Sequence, residues 1–220
     1  MISVVIPTLN AERTLAPTLA ALVPAVVDGL VQEAILADGG SSDDTRVIAD
    51  AAGTQLIDAP RGRGSQLAAG AGQARANWLL FLDADTILEP GWAEEAQAFI
   101  ERVESGRRSQ AAAFFRFALD DDGFMPWLAE WLVRLRSLLF ALPYEDQAML
   151  ISRQLYDRLG GFRGGADLVQ LLKRGEMVML KSRAVISAQR YQSEGYLAHG
   201  LRNLGQVLLS PVRALARLYG

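Results

Sequence analysis

Two aspartates one residue apart, Asp83 and Asp85, follow the apolar run Trp78-Leu79-Leu80-Phe81-Leu82. The single alanine between them lets both carboxylates reach one ion from an irregular loop. Carboxylates are the ligands that Mg²⁺ or Mn²⁺ prefers, and such a cation neutralises the charge that gathers on a diphosphate as its bond to a sugar breaks. The competing reading is a helix cap beside a solvated loop residue. Paired carboxylates at the end of a buried strand are costly without a counter-charge, which favours the metal. A second string, Asp38-Gly39-Gly40-Ser41-Ser42-Asp43-Asp44-Thr45, offers a different chemistry. Asp38 can accept the imide N–H of uracil or guanine, and Gly39-Gly40 lets backbone come close to a planar base. The same string also reads as a turn into a helix capped by Ser42 or Asp43, and the two readings are compatible. Arg61-Gly62-Arg63-Gly64 precedes a helix and offers backbone N–H groups and two guanidinium groups to a phosphate, or is simply a solvated basic turn. It has neither Walker spacing nor a full dinucleotide fingerprint, so neither an ATPase nor a dehydrogenase is supported.

These strings need strands that end on one edge, and the sequence supplies them. Ile2 to Ile6 is a β-branched run stopped by Pro7, and helix formers follow from Ala11 to Val23. The unit repeats: a strand over Glu33 to Ala37, a helix over Asp43 to Ala52, a short strand over Thr54 to Asp58, a helix over Ser65 to Ala76 and a buried strand over Trp78 to Leu82. Strands alternating with helices predict a mostly parallel sheet, and ligands of such sheets bind at the carboxyl ends of the strands. Those ends carry Pro7-Thr8-Leu9-Asn10, Asp38 to Thr45, and Asp83-Ala84-Asp85. Beyond Pro90 the alternation weakens. Helices are expected over Trp92 to Val103, Pro126 to Leu142, Arg153 to Leu159 and from about Gly195, with strands over Ala111 to Leu119, Ala148 to Ile151 and Val178 to Ile186.

The chain has 220 residues, enough for one well-buried α/β domain over 1–220. Residues 1–90 form its nucleotide-binding half, 91–194 an acceptor-side half and 195–220 a helical C-terminal segment. Half of the residues are hydrophobic and the formal net charge is -3, which argues against a broad basic surface for nucleic acid. With no cysteine and one histidine, His199, any metal is held mainly by oxygen donors. The N-terminus enters a strand pattern at once, without a basic n-region or cleavage site, so the expected location is cytoplasmic.

In order and spacing, Ser3-Val4-Val5-Ile6-Pro7-Thr8-Leu9-Asn10, Asp38 to Thr45 and Leu82-Asp83-Ala84-Asp85-Thr86 resemble the family 2 glycosyltransferases, which have the GT-A fold. Tyr144-Glu145-Asp146-Gln147-Ala148, Leu159-Gly160-Gly161-Phe162 and Leu215-Ala216-Arg217-Leu218-Tyr219 resemble a compact bacterial subgroup. The resemblance implies a metal-dependent transferase moving a sugar from a nucleoside diphosphate sugar to an acceptor hydroxyl, with inversion and with Mn²⁺ or Mg²⁺. It implies that Pro7, Thr8 and Asn10 border the base, that Asp38 and Gly39 contact it, and that Arg63 lies near the nucleotide. It further implies that Asp83 and Asp85 serve metal and diphosphate, and that Asp146 and Gln147 line the donor-sugar and acceptor pocket. Inverting members usually carry Glu-Asp shortly after Gly-Gly-Phe, the Asp acting as base. Here the segment is shorter and reads Gly161-Phe162-Arg163-Gly164-Gly165-Ala166-Asp167-Leu168, which makes Asp167 the candidate base or, equally, a helix N-cap. Ala68 stands where the subgroup often has an amide side chain.

Two rivals follow. A catalytically degenerate member would bind nucleotide or partners only, and Ala166 is its best support. A sugar nucleotidyltransferase would need a glycine-rich basic loop after the first strand, which Pro7-Thr8-Leu9-Asn10 is not. Trp127, Trp131, Arg134 and Leu138 share a helical face in the stretch 124–140. That face reads first as an ordinary buried stripe. Its alternative is peripheral contact with the inner face of a membrane, serving a lipid-linked acceptor. A lone histidine such as His199 is more often packed or at the surface than a metal ligand.

Overall fold

A computed structural model describes residues 1–119, 148–162 and 176–186. The helices expected over Pro126 to Leu142 and from Gly195, and the residues Asp146, Gln147, Asp167 and His199, lie outside them.

The first half follows the alternation of the sequence. Strand β1 (Ile2–Thr8) leads to helices α1 (Leu15–Ala20) and α2 (Val23–Val27), then β2 (Val31–Asp38), α3 (Thr45–Ala51), β3 (Gln55–Asp58), α4 (Arg63–Gln73) and β4 (Trp78–Phe81). The second half adds β5 (Thr86–Leu88), α5 (Trp92–Glu104), β6 (Ala112–Leu119), β7 (Met149–Ser152), α6 (Arg153–Arg158) and β8 (Met177–Ile186). The single helix expected over Ala11 to Val23 is two helices. Pro24 has no N–H to give the carbonyl of Ala20, and the Leu22 N–H instead bonds back to Leu19 at 3.0 Å, closing the first helix. Strand β5 was not anticipated, being three residues long with Ile87 at its exposed middle position.

The described strands form one sheet in the order β3-β2-β1-β4-β7-β6-β8-β5. Strands β3, β2, β1 and β4 run parallel, so their carboxyl ends share an edge. Beyond β4 the sheet is mixed: β7 runs antiparallel to both β4 and β6, β8 is parallel to β6, and β5 closes antiparallel to β8. Pro7 does not stop β1, contrary to the sequence expectation. The Val5 carbonyl accepts from Leu82, so by two-residue alternation Pro7 faces the same side, where pairing with β4 has ended at Phe81.

Helices cover both faces, which is why the strands read as continuous apolar runs. On one side Ile2, Val4, Ile6, Trp78, Leu80 and Phe115 meet Leu15, Ala49, Trp92 and Phe99 from α1, α3 and α5. On the other, Val5, Leu79, Phe81 and Phe114 meet Leu67 and Ala71 of α4 and Leu155 and Tyr156 of α6. Helix α4 lies so close to β1 that a Cβ added at Gly70 would stand 2.4 Å from Cγ1 of Val5. Its far end is held by Arg153, which donates to the carbonyls of Ala71 and Ala74 at 2.8 and 2.7 Å. In β8 two extra residues interrupt the register with β6 between Met179 and Arg183. The Lys181 and Ser182 N–H groups there donate to the Glu95 carboxylate of α5, each at 2.8 Å.

Candidate active site

Strands β1, β2 and β4 deliver Thr8, Asp38 and the Asp83–Asp85 loop to the shared edge. Asp38 ends β2 with its side chain fully buried. Oδ1 accepts from the Thr8 hydroxyl at 3.2 Å and from the Ser41 hydroxyl. Oδ2 accepts from the Ser41 N–H and from Nη2 of Arg46, both at 3.0 Å. Burial pushes this carboxyl up, but the Ser41, Thr8 and Arg46 hydrogen bonds outweigh it and hold it below the usual aspartate range. The same Nη2 of Arg46 also donates to Asp58 at the end of β3.

The loops after β1 and β2 are joined reciprocally. Asn10 adopts a left-handed φ of 52°. Its N–H donates to the Ser41 hydroxyl at 2.9 Å while its side-chain oxygen accepts the Ser42 N–H at 2.9 Å. Ala11 donates to the Thr45 hydroxyl at 2.8 Å and Glu12 to Asp43 at 3.0 Å, and Asp44 donates back to Glu12 at 3.3 Å. Asp43 also takes the Thr45 N–H at 3.1 Å. Asp44 is the cap residue by backbone position and makes no side-chain capping bond; the carboxylate of its neighbour Asp43 does that work. Of the two caps expected, Ser42 is instead tied to Asn10.

Beneath these loops lies Gln66 of α4, a buried amide. Its Nε2 donates to the carbonyls of Thr8 and Ala37 at 2.7 and 2.8 Å, joining the ends of β1 and β2. Gly39 sits directly over it, since a Cβ there would meet Nε2 at 3.1 Å. A side chain there would press on this hydrogen-bonded amide, so the glycine lets the loop sit close over Gln66, whatever else approaches its other face. Pro7 is half-buried one residue before Thr8.

After β4 the chain turns, with the Thr86 N–H donating to the Asp83 carbonyl at 3.1 Å and the Thr18 hydroxyl of α1 holding the Ala84 carbonyl at 3.1 Å. Asp83 accepts from Arg63 at the start of α4 in a two-point contact, Nε to Oδ1 at 3.0 Å and Nη2 to Oδ2 at 3.3 Å. The sequence assigns Arg63 to the nucleotide and Asp83 to nucleotide and metal; in the structure they pair with each other. Asp85 is half-buried on the same turn. Two carboxylates on a fixed turn suit a hard divalent cation. Among the described residues no third acidic or histidine side chain joins them.

Sequence reading missed Gln66 and Arg46. For Gln66 a signal exists: in α4 it shares a face with the buried Leu67, Gly70 and Ala71, and a polar side chain on a buried face requires partners. Arg46 carries no such mark, because its two carboxylates are set by strand pairing.

A parallel half-sheet that brings a buried carboxylate, a basic helix start and paired aspartates to one edge has the GT-A architecture. The chain belongs to glycosyl transferase family 2, whose family model matches residues 3–165. It is 36% identical over 95 residues to the glucosyl-3-phosphoglycerate synthase of Mycolicibacterium paratuberculosis, covering 39% of this chain. That match spans only 29% of the synthase. A glycosyltransferase of Mycobacterium bovis without assigned activity is 30% identical over 165 residues, 70% of this chain and 67% of that one. The Mycobacterium tuberculosis glucosyl-3-phosphoglycerate synthase, solved with Mn²⁺ and UDP-glucose, superposes with a TM-score of 0.64 at 22% identity, covering 96% of this chain and 78% of that one. This likeness establishes the fold. The same synthase has been solved with Mg²⁺ and UDP. Among the described residues no helix is long and apolar enough to cross a membrane.

Proposed function

We propose that the protein transfers a sugar from a UDP-sugar to an acceptor hydroxyl with inversion, using Mn²⁺ or Mg²⁺. The observation that carries this reading is the convergence of Thr8–Asn10, Asp38 and Asp83–Asp85 on one edge of a family 2 domain. Pro7, Thr8, Asn10 and Gly39 border the base, and Asp38, held anionic, accepts its imide N–H. Asp83 and Asp85 hold the cation, which supplies positive charge to the departing diphosphate. Arg63, paired with Asp83 in the free chain, stands at the N-terminal end of an eleven-residue helix. Its guanidinium and that helix start receive the diphosphate as the bond to the anomeric carbon breaks. The acceptor hydroxyl attacks from the opposite side and loses its proton to Asp167, while Asp146 and Gln147 line the pocket for sugar and acceptor.

Calorimetric titration of UDP, GDP and dTDP with and without Mn²⁺ tests the donor site. Metal-dependent binding that favours UDP is expected, and metal-independent or absent binding overturns the reading. Undiminished transfer by Asp167→Asn would remove Asp167 as the base. The acceptor reading extends to a lipid-linked alcohol met by the apolar and basic stretch 124–140, and a chain that does not float with liposomes overturns that part.

A further inference from the structure

Asp38 has no acceptor position to spare. Its oxygens offer about four lone-pair directions, and Thr8, the Ser41 hydroxyl, the Ser41 N–H and Arg46 take them. A base that gives its imide N–H to this carboxylate therefore displaces a donor. The Ser41 N–H is fixed by the backbone, whose next N–H is held by Asn10. The Ser41 hydroxyl is pinned from its other side by the Asn10 N–H. Thr8 is buried, and among the described residues its hydroxyl has no second acceptor. Arg46 differs on both counts. Its side chain is 45% exposed, and the Nη2 that bonds Asp38 also bonds Asp58, whose own side chain is 82% exposed. The guanidinium can leave Asp38 and keep a carboxylate.

We propose that Arg46 is a displaceable placeholder at the carboxylate that takes the base. It occupies Oδ2 of Asp38 in the free chain and moves wholly onto Asp58 when the imide N–H of the nucleotide arrives. This rests on the reading that Asp38 holds the base. Asp58, which touches no part of the nucleotide in this scheme, sets how readily Asp38 becomes available. Uracil, thymine and guanine bring an N–H that replaces the departing donor. Adenine and cytosine present a lone pair at the corresponding ring nitrogen and leave Arg46 in place.

The test is calorimetry of UDP and of inorganic pyrophosphate, each with Mn²⁺ at low salt, on wild type, Asp58→Asn, Arg46→Met and the double variant. Asp58→Asn is expected to weaken UDP about three- to fivefold, the scale of one exposed ion pair, and to leave pyrophosphate unchanged. In the Arg46→Met background the same substitution has no effect, and Arg46→Met alone binds UDP at least as tightly as wild type. Added salt shrinks the Asp58→Asn effect. UDP binding that Asp58→Asn leaves unchanged, an equal loss for pyrophosphate, or weaker UDP binding by Arg46→Met would each overturn the proposal. Asp58 lies at the surface, so its substitution decides the matter even if Arg46→Met does not fold. A wild-type chain that binds pyrophosphate but no nucleotide overturns the assignment of Asp38 to the base as well, which separates the two failures.

Discussion

Both N–H groups of the Gln66 amide go to strand-end carbonyls, one 58 and one 29 residues earlier in the chain. That single side chain therefore braces the end of the β1–β2 ladder where Thr8 and Asp38 emerge. Replacing it with leucine removes both hydrogen bonds, which at about 0.5–1.5 kcal/mol per bond costs about 1–3 kcal/mol, although the Thr8 carbonyl keeps the Gly39 N–H. Gln66→Leu is accordingly expected to lower the urea midpoint and to weaken UDP more than pyrophosphate, since the base side of the site moves. Equal binding of UDP by the variant and wild type would show that the amide serves stability alone. Asn10 makes a related point. Its type is legible in the sequence as a site residue, yet the structure has it bonded to Ser41 and Ser42 in a backbone conformation that Asn tolerates better than most residues.

Among the elements, α4 is the most tightly specified. Gly70 lets it approach β1, Arg153 holds its last carbonyls, and its first turn carries Arg63. Gly70→Ala forces a methyl group against Val5 and should destabilise by about 1–3 kcal/mol. Val5→Ala opens the missing space, so in denaturant melts the two substitutions together should cost less than the sum of each alone. Helix α5 does a different job, since Glu95 receives N–H groups from β8 that the interrupted ladder leaves over. Glu95→Ala strands those donors and is expected to lower the melting temperature, where a surface glutamate would not. These features mark the limit of legibility. The β-branched run of β1, the apolar run of β4 and the aspartates after it were readable because each is local. The bulge of β8 and the short β5 were not, because each depends on a neighbour supplied from elsewhere in the chain, whereas the break before Pro24 is local and its proline was there to be read. The order β4-β7-β6-β8 is of the same kind, for nothing in the alternation of residues 1–90 says where later strands insert.

Across the whole molecule, the carboxylates held below their ordinary range are widely spread. Glu33 joins the opening ends of β1 and β2 to Arg75, Asp38 and Asp43 lie at the opposite edge, and Glu95 lies in the second half. Each binds its proton more readily when unfolded, so its stabilisation is complete above the ordinary carboxylate range and is lost as pH falls through its folded value. Melting temperatures should be level from pH 7 to about 5 and drop steeply below about 4, with a shallower acid limb for Asp38→Asn; a drop that begins above pH 6 would point to other groups. Ligand acts on the same scale: UDP with Mn²⁺ at about 100 times its Kd should add about 2.7 kcal/mol, and a chelator should abolish the shift. The reciprocal bonds between Asn10–Glu12 and Ser41–Thr45 have a consequence for inheritance and engineering. Each loop supplies the partners that keep the other in shape, so neither can drift or be grafted alone. A donor preference rebuilt at one loop would have to carry the other with it, and the pair forms the smallest transplantable unit of this site.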